Sequence, residues 1–423
     1  MKTIYFKELK AYKKEKLLRL LNKETFDNLL KYDFIKKEDY NYIFNYVGVI
    51  IVDEFVINCY PKYIPNEENI ESDFKEILRV IKKYKHLNED FEYENETLDD
   101  ISYNRLSMML FFLEDYYENG VYTNIQNILE INGNGEIDWD RTINYTDPII
   151  DAEKPFYVEL QTKYKINNLF DYFRLLHEYI ITECSKNLEK AGLLDLFDLT
   201  PVEISDKNLD DFGENVLELI EKEINVEFNS HKQKLLKTMH SFINEENSFT
   251  NETSMTIFGT QTYHVIWEEI CSDIFSNKIK NIKSHIKKPK WYHKYKTHKT
   301  ETFKPDIVTW IEDTFVILDA KYYNLTFNEE ELSGNPGLGD ITKQYLYQLA
   351  LEDFRTKKGF TDVKNALLFP SYNDYFENKG YVEIEILSDL GLENIQVIML
   401  PASNVNKAYL ENKKKSILEL KLK

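Results

Sequence analysis

Two aspartates and one lysine are the residues of this 423-residue chain whose types and spacing best suit chemistry on a phosphate ester. Asp306 lies thirteen residues before Asp319, and Lys321 follows two positions later. Carboxylate oxygens are ligands that Mg²⁺ prefers, and the bound ion keeps waters and accepts substrate phosphates. A neighbouring ammonium orients or deprotonates a water, or neutralises developing charge, and the sequence leaves these roles open. The set predicts a metal-dependent site for phosphodiester hydrolysis.

The residues between the two aspartates predict the element that brings them together. Residues 307–311 and 315–318 are apolar, β-branched runs separated by a short polar turn, which is typical of a β-hairpin. Side chains alternate along a strand, so Asp319 and Lys321 share a face, and strand pairing places Asp306 at the same end. Asp-x-Lys is a common tripeptide, and an ordinary structural pair is the alternative. The apolar strand before Asp319, where burying a charge is costly, favours the functional interpretation.

A helix is predicted to open after the glycine-rich loop 334–339, which matches neither a Walker A loop nor GxGxxG. Asp340 is expected to cap this helix by accepting backbone N–H bonds. Gln344 and Gln348 are four residues apart and therefore share a helix face. A pair of surface amides is the alternative to a functional role for them.

The net charge of −20 is unfavourable for DNA binding, but the charge is unevenly distributed. Residues 275–300 contain nine lysines and no acid, so the remainder carries −29. This segment leads directly into the aspartate of the hairpin and predicts a groove for a nucleic-acid backbone. A solvated lysine-rich face is the alternative. The residues expected to contact DNA are Lys287, Lys288, Lys290, Lys294, Lys296 and Lys304.

Composition limits the remaining possibilities. The length predicts two or three domains, and 43% hydrophobic residues suffice for sizeable cores. No apolar run approaches the length of a membrane span, and charges interrupt any N-terminal signal-peptide core. Three widely spaced cysteines favour neither a disulfide framework nor a thiolate zinc site. A cytoplasmic location is expected.

Three strings together resemble the LlaJI family of restriction endonucleases: Lys-Pro-Asp-Ile-Val from residue 304, Ile-Leu-Asp-Ala-Lys-Tyr-Tyr from 317, and Gly-Asp-Ile-Thr-Lys-Gln-Tyr-Leu-Tyr-Gln-Leu from 339. These proteins look like McrC-type nuclease subunits of the PD-(D/E)xK superfamily. The resemblance implies Mg²⁺ held by Asp306 and Asp319, with Glu268 on a preceding helix as third ligand and Gln344 assisting. Glu269 remains an alternative to Glu268.

The N-terminal half contributes two further similarities to McrC-type chains. Residues 46–65 are predicted to form a hairpin that ends in Pro-Lys, and residues 135–143 resemble an internal Gly-x-Ile-Asp-Trp-x-Arg-Thr element. In the family such regions engage a McrB-like GTPase of the AAA+ class, so the resemblance implies this partner. The alternative is that Trp139 and the hairpin only build a core.

The sequence therefore predicts an α/β protein: an α+β region over 1–249 that engages a partner, and a PD-(D/E)xK nuclease domain over 250–423 with a mixed central sheet flanked by helices. The predicted function is Mg²⁺-dependent cleavage of foreign double-stranded DNA within a McrBC-like restriction system. The alternatives are a stand-alone repair or recombination nuclease and a catalytically silent DNA-binding adaptor. Packing helices are expected around residues 68–88, 103–118, 165–195, 213–246 and 407–420.

Overall fold

The computed structural model describes residues 1–65, 69–88, 98–151, 153–248, 255–286, 290–293, 296–299, 304–327 and 332–423. The chain is a mixture of helices and sheets, consistent with the expected α/β class. It forms two compact units: residues Met1–Asp100 with Met255–Lys423, and residues Ile101–Ser254. None of the helices in these ranges is long and apolar enough to cross a membrane.

The strands are short, and their bounds in chain order are β1 Lys2–Lys7, β2 Tyr12–Lys13, β3 Ile35–Glu38, β4 Asn41–Phe44, β5 Val47–Val52, β6 Phe55–Tyr60, β7 Ile125–Ile131, β8 Glu136–Ile137, β9 Ile149–Asp151, β10 Lys154–Phe156, β11 Gln161–Asn167, β12 Met255–Thr260, β13 Lys290–His293, β14 Lys296–Lys299, β15 Ile307–Ile311, β16 Thr314–Ala320, β17 Thr326–Phe327, β18 Leu332–Ser333, β19 Asp362–Ser371, β20 Glu377–Val382 and β21 Ile395–Pro401.

The α-helices are α1 Lys14–Leu20, α2 Lys23–Lys31, α3 Ile70–Asn88, α4 Leu98–Asn119, α5 Trp139–Tyr145, α6 Tyr172–Lys190, α7 Val216–Val226, α8 Ser230–Ser248, α9 Tyr263–Ile274, α10 Ile279–Ile282, α11 Leu338–Ala350, α12 Glu352–Lys358, α13 Glu385–Ser388 and α14 Ala402–Leu410. Short 3-10 helices cover Asp195–Phe197, Leu209–Phe212, Lys283–His285 and Ile417–Leu420.

The predicted hairpin around residues 46–65 is present as β5 and β6, which pair antiparallel. Asp53 turns the chain between them with a positive φ of 52°, a conformation that short polar side chains tolerate. The hairpin is the centre of a four-stranded sheet of order β1-β6-β5-β12. Residues of β5 and β6 are almost entirely buried, so this hairpin does build a core.

The two units do not follow the domain boundary that was expected at residue 249. The strand β1 pairs parallel with β6, and β12 pairs antiparallel with β5. These long-range pairings place the first hundred residues in the same unit as the C-terminal part. A single boundary in the sequence cannot describe this unit, because its two parts are separated in the chain by the second unit, Ile101–Ser254.

The candidate site residues lie at a five-stranded mixed sheet of order β15-β16-β19-β21-β20. β15 and β16 form the predicted antiparallel hairpin, β16, β19 and β21 run parallel, and β20 is antiparallel. One face carries Phe315 and Ile317, which pack against Tyr347 and Leu351 of the α11–α12 region. Because side chains alternate, Asp319 continues this face toward α11.

The second unit contains an antiparallel sheet of order β7-β11-β8, the hairpin β9-β10, and helices that include α6, α7 and α8. The element around residues 135–143 becomes β8 and α5, and Asp138 caps α5 by accepting from the Arg141 amide. Trp139 is 54% exposed. The alternative that this tryptophan only builds a core is therefore wrong.

The expected packing helices are partly confirmed. α3 and α4 correspond to the predictions at 68–88 and 103–118. The helix predicted over 165–195 begins only at Tyr172, because Asp171 caps it after strand β11. The helix predicted over 213–246 is broken into α7 and α8, and the one over 407–420 ends at Leu410 before three consecutive lysines.

Candidate active site

The carboxyl end of β16 holds the central ion pair of the candidate site. Asp319 is 5% exposed, and its Oδ2 lies 2.6 Å from the Nζ atom of Lys321. The backbone N–H of Lys321 donates to the Leu368 carbonyl at 2.8 Å, which extends the pairing with β19 beyond the last strand residue. The strand thus fixes the backbone of both functional residues.

Asp306 lies opposite this strand end, where β15 begins. Its Oδ2 accepts a hydrogen bond of 3.0 Å from the backbone N–H of Ala320. Its carbonyl oxygen accepts a 2.6 Å bond from the side-chain amide of Asn277. The hairpin therefore brings Asp306 and Asp319 together as the strand alternation predicts, and two hydrogen bonds fix the first aspartate there.

Helix α9 presents Glu268 to these aspartates. Glu268 is half-buried, whereas Glu269 is exposed. After burial and the charge of Asp319, the charge of Glu268 raises the pKa of Asp306. The charge of Glu269 is not among these causes, and it adds instead to the effect of burial that raises the pKa of Tyr409. Successive helix residues point about 100° apart. The placement therefore favours Glu268 over Glu269 as the third carboxylate.

Burial, together with the charges that surround each group, changes the protonation of the cluster. Burial, followed by the charges of Asp319 and Glu268, raises the pKa of Asp306 to about 8. Burial also raises the pKa of Asp319, although Lys321 opposes this effect. For Lys321 burial disfavours the charged form, but Asp319 and its neighbours prevail and raise the pKa above the ordinary lysine value. Lys321 therefore carries a full positive charge at neutral pH.

A hard divalent cation suits this group of oxygens. Burial and, at Asp306, the charges of Asp319 and Glu268 disfavour the ionised carboxylates, and a bound cation would favour the ionised form. Among the described residues no three His, Cys, Asp or Glu side chains stand close enough to hold a metal as they are. Mg²⁺ needs no such closed cage, because it binds through one or two carboxylates with waters and substrate phosphates. Asp306 and Asp319 fit this mode, and Glu268 as a ligand remains a prediction.

Gln344 and Gln348 are buried in α11, so the alternative of a surface amide pair is wrong. The Nε2 atom of Gln344 donates to Asn365 Oδ1 at 2.6 Å, and Asn365 donates to the Gln344 carbonyl. Gln348 exchanges hydrogen bonds with the backbone of Glu393. Gln344 thus anchors the helix to β19, although its Oε1 has no hydrogen-bond partner in the part of the chain that the structure describes. A catalytic role for Gln344 remains a prediction.

Asp340 does not cap α11, contrary to the expectation. The helix begins at Leu338 with Gly337 at its N-cap, so Asp340 lies inside the first turn. Its Oδ1 is 3.6 Å from Lys321 Nζ and 4.0 Å from Lys343 Nζ. The lysine of the site therefore has a second carboxylate neighbour. One feature of the sequence could have predicted this contact, namely an acid close to the start of the helix that follows the hairpin.

A buried acid from the N-terminal sheet supports the same strand end. Glu8 is 7% exposed, and its Oε2 accepts hydrogen bonds from the Tyr322 hydroxyl and from the Lys62 amide. Tyr322 follows Lys321, and its ring meets that of Tyr63 edge-on and that of Tyr263 at a tilt. No sequence pattern could have located Glu8 beside the site, because 314 residues separate it from Tyr322.

The lysines expected to bind DNA are only partly described. Lys290 begins β13, which pairs with β14, and both Lys290 and Lys304 are exposed. Lys296 begins β14. Exposed Trp291 lies in β13 between the lysines. The remaining residues of the prediction, Lys287, Lys288 and Lys294, lie outside the described residues.

Residues 46–404 match the model of a protein family described as LlaJI restriction endonuclease. The chain belongs to the LlaJI restriction endonuclease family. It is 33% identical over 431 residues to the "Type II restriction enzyme BsuMI component YdjA" of Bacillus subtilis (strain 168), a match that covers 97% of this chain and 90% of that protein. The family resemblance of the sequence strings is thereby confirmed. The five candidate site residues of this LlaJI family member all lie within the matched range.

Two solved structures are similar to this LlaJI family member at low identity. One is described as "Refined half-complex from tetradecameric assembly of Thermococcus gammatolerans McrB AAA+ hexamers with bound McrC", with TM-score 0.40, 12% identity, and coverage of 97% of this chain and 99% of that chain. The other is "Cryo-EM structure of the Thermococcus gammatolerans McrBC complex", with TM-score 0.25, 13% identity, and coverage of 60% and 82%. These low TM-scores support no conclusion about assembly.

The raised pKa of Asp306 predicts a pH-dependent stability of the metal-free protein. With a pKa of about 8 in the folded state, Asp306 holds a proton that the unfolded chain releases near pH 4. The free energy of unfolding should therefore fall as the pH rises from about 5 to about 8. We expect Asp306→Asn to reduce this slope and to raise the free energy of unfolding at pH 8 by roughly 1–2 kcal/mol. Urea unfolding in a chelator at several pH values measures both, and parallel curves for the two proteins would contradict the prediction.

The Glu8 contacts predict a structural role for this buried acid. Glu8→Ala leaves the hydroxyl of Tyr322 and the amide of Lys62 without their acceptor. We expect the free energy of unfolding to fall by about 2–4 kcal/mol, because buried donors lose their hydrogen bonds. Glu15→Ala on the exposed side of α1 is the matched control and should change it by less than about 0.5 kcal/mol. Equal losses in the two variants would refute the role of Glu8.

Proposed function

We propose that this chain is the nuclease subunit of a restriction system and hydrolyses phosphodiester bonds of double-stranded DNA with Mg²⁺. The convergence of Asp306, Asp319 and Lys321 at one end of the β15–β16 hairpin carries the proposal. The half-buried Glu268 adds a third carboxylate to the same region. Membership of the LlaJI family supports the restriction role.

Each residue of the cluster has a proposed task. Asp306 and Asp319 would hold the ion, with Glu268 as a further ligand, and the bound ion would lower the pKa of the attacking water and neutralise the phosphate. Lys321 would orient the water and compensate charge that develops on the phosphate oxygens. A raised lysine pKa argues against the alternative that Lys321 deprotonates the water, because a general base must first lose its own proton.

The strand arrangement supports assignment of this unit to the PD-(D/E)xK superfamily. Asp306 precedes β15, the Asp319-Ala320-Lys321 tripeptide ends β16, and α9 brings Glu268 from before the hairpin. The mixed sheet with helices α9 and α11 in contact with β16 agrees with the core that the family resemblance implies. Gln344 would assist through its buried amide, as the resemblance implies.

A McrB-like AAA+ GTPase is the proposed partner of this chain. The relative from Bacillus subtilis is named a component of a restriction enzyme, and a component works with other subunits. The sequence contains neither a Walker A loop nor GxGxxG, so nucleotide hydrolysis would belong to the partner. A cytoplasmic location follows from this role and remains a proposal.

Cleavage of plasmid DNA by the purified protein with Mg²⁺, with and without the partner and GTP, tests the proposal. We expect Asp319→Asn to reduce cleavage at least 100-fold, roughly the scale expected when a metal ligand is lost. Glu268→Gln should reduce it about tenfold or more, whereas Glu269→Gln, its neighbour on α9, should cleave at the wild-type rate.

Each outcome of this experiment has a distinct meaning. Activity that survives Asp319→Asn would refute the mechanism. Cleavage that needs no partner would favour the stand-alone nuclease. DNA binding without cleavage under every condition would favour the silent adaptor.

Asp340 is expected to position Lys321 during this reaction. Asp340→Asn removes one of the two carboxylates beside the ammonium and should lower the single-turnover cleavage rate about tenfold. Lys343→Gln is the matched control, because Lys343 approaches the same carboxylate from solvent. Its rate should stay within about twofold of the wild type. Similar rates for wild type and Asp340→Asn would exclude this positioning role.

A further inference from the structure

The first 23 residues form a positively charged region of an otherwise acidic chain. They contain eight lysines and arginines against two glutamates, whereas the whole chain has a net charge of −20. One of the two glutamates, Glu8, is buried and hydrogen-bonded. Four exposed lysines between β1 and the first turn of α1 are here called the N-terminal lysine surface: Lys10, Lys13, Lys14 and Lys16.

Aromatic rings contact three of these four lysines. The Nζ atoms of Lys10 and Lys16 lie 5.9 Å and 5.6 Å from the same ring centroid, that of Tyr12. Lys14 Nζ lies 5.6 Å from the centroid of Phe26. Both rings are buried, so the lysine stems rest on a rigid base. The ammonium groups are therefore partly preorganised.

The N-terminal lysine surface has no internal counter-charge. None of its four lysines forms an ion pair with a carboxylate within the ranges that the structure describes. Many other lysines of the chain are paired, for example Lys379 with Glu377 and Lys413 with Glu411. Unpaired ammonium groups that lie close together repel one another, and an external polyanion relieves this repulsion.

The surface is connected to the candidate active site by a short series of contacts. The Tyr12 hydroxyl accepts a 2.9 Å hydrogen bond from the backbone N–H of Lys7. The next residue, Glu8, accepts from the hydroxyl of Tyr322, which follows Lys321 in the chain. These contacts connect the base of the lysine surface to the strand end that carries Lys321.

We infer that the N-terminal lysine surface binds the phosphate backbone of the DNA duplex that enters the active site. The inference rests on the proposed function, which makes DNA the substrate. A duplex presents closely and regularly spaced negative charges to such a surface, and contacts of this kind position DNA without reading its sequence. The lysines of β13 and β14, which the sequence predicts to bind DNA, would supply a separate contact to the duplex. An acidic protein segment is the competing ligand.

Fluorescence anisotropy with a 30-base-pair duplex in a chelator, over a series of salt concentrations, tests this inference. The test variant is the full chain with all four lysines of the surface changed to glutamine. The control removes four exposed lysines elsewhere in the same unit and has the same net charge: Lys357→Gln, Lys358→Gln, Lys421→Gln and Lys423→Gln. A third variant changes the four surface lysines to arginine.

We expect the test variant to bind DNA at least tenfold more weakly than the control at about 0.1 M salt. The slope of log binding affinity against log salt concentration should become less steep by about 2–4, since each phosphate contact contributes about 0.9 to it. The arginine variant should bind like the wild type, because it keeps the charges. Two duplexes of unrelated sequence should show equal losses.

Three outcomes would overturn the inference: no measurable binding by the unsubstituted protein at low salt, equal affinity and slope in the test and control variants, or weakened binding by the arginine variant. The second is also the result that an acidic protein ligand predicts. The assay contains no metal and needs no cleavage. A protein that binds through this surface but shows no Asp319-dependent cleavage would contradict the proposed function alone.

Discussion

The burial of like-charged carboxylates at the end of a hydrophobic strand is the constraint on which this structure depends. Such a charge is costly to bury, and β16 is otherwise apolar. The protein compensates with an ammonium at 2.6 Å, a backbone N–H aimed at Asp306, and protonation of that aspartate below its pKa of about 8. The interactions that offset the buried charge also hold these side chains in place. The burial of the carboxylates therefore accounts both for the electrostatic cost of the site and for the alignment of its residues.

The parts of this arrangement that are local in sequence were predictable. Alternation along two short apolar runs located the β15–β16 hairpin and placed Asp306 beside Asp319. The place of Asp340 in its helix was not predictable, because sequence locates the start of a helix only to within a few residues, and this helix begins at Leu338. Gln344 illustrates the same limit. Its spacing from Gln348 predicted that the two side chains share a helix face, but only the packing against β19 shows that this face is buried.

Non-local pairing accounts for the rest. Nothing in the first hundred residues indicates that β1 and β6 belong with strands beyond residue 254, yet β12 completes their sheet. As a result Glu8, which follows the first strand of the N-terminal sheet, supports Tyr322 next to the candidate site. The family match begins at residue 46, so neither Glu8 nor the N-terminal lysine surface could be inferred from it.

Lys321 links the electrostatics of the resting site to its proposed chemistry. Its ammonium lies 2.6 Å from Asp319, a carboxylate that the proposed ion would also need. A cation held by Asp319 would share this carboxylate with the lysine, and two positive charges so close would repel each other. Asp340, whose Oδ1 lies 3.6 Å from the ammonium, offers the lysine a second counter-ion that is not among the proposed metal ligands. A lysine shared between two acids could therefore leave Asp319 to the proposed ion and still keep a carboxylate neighbour in Asp340.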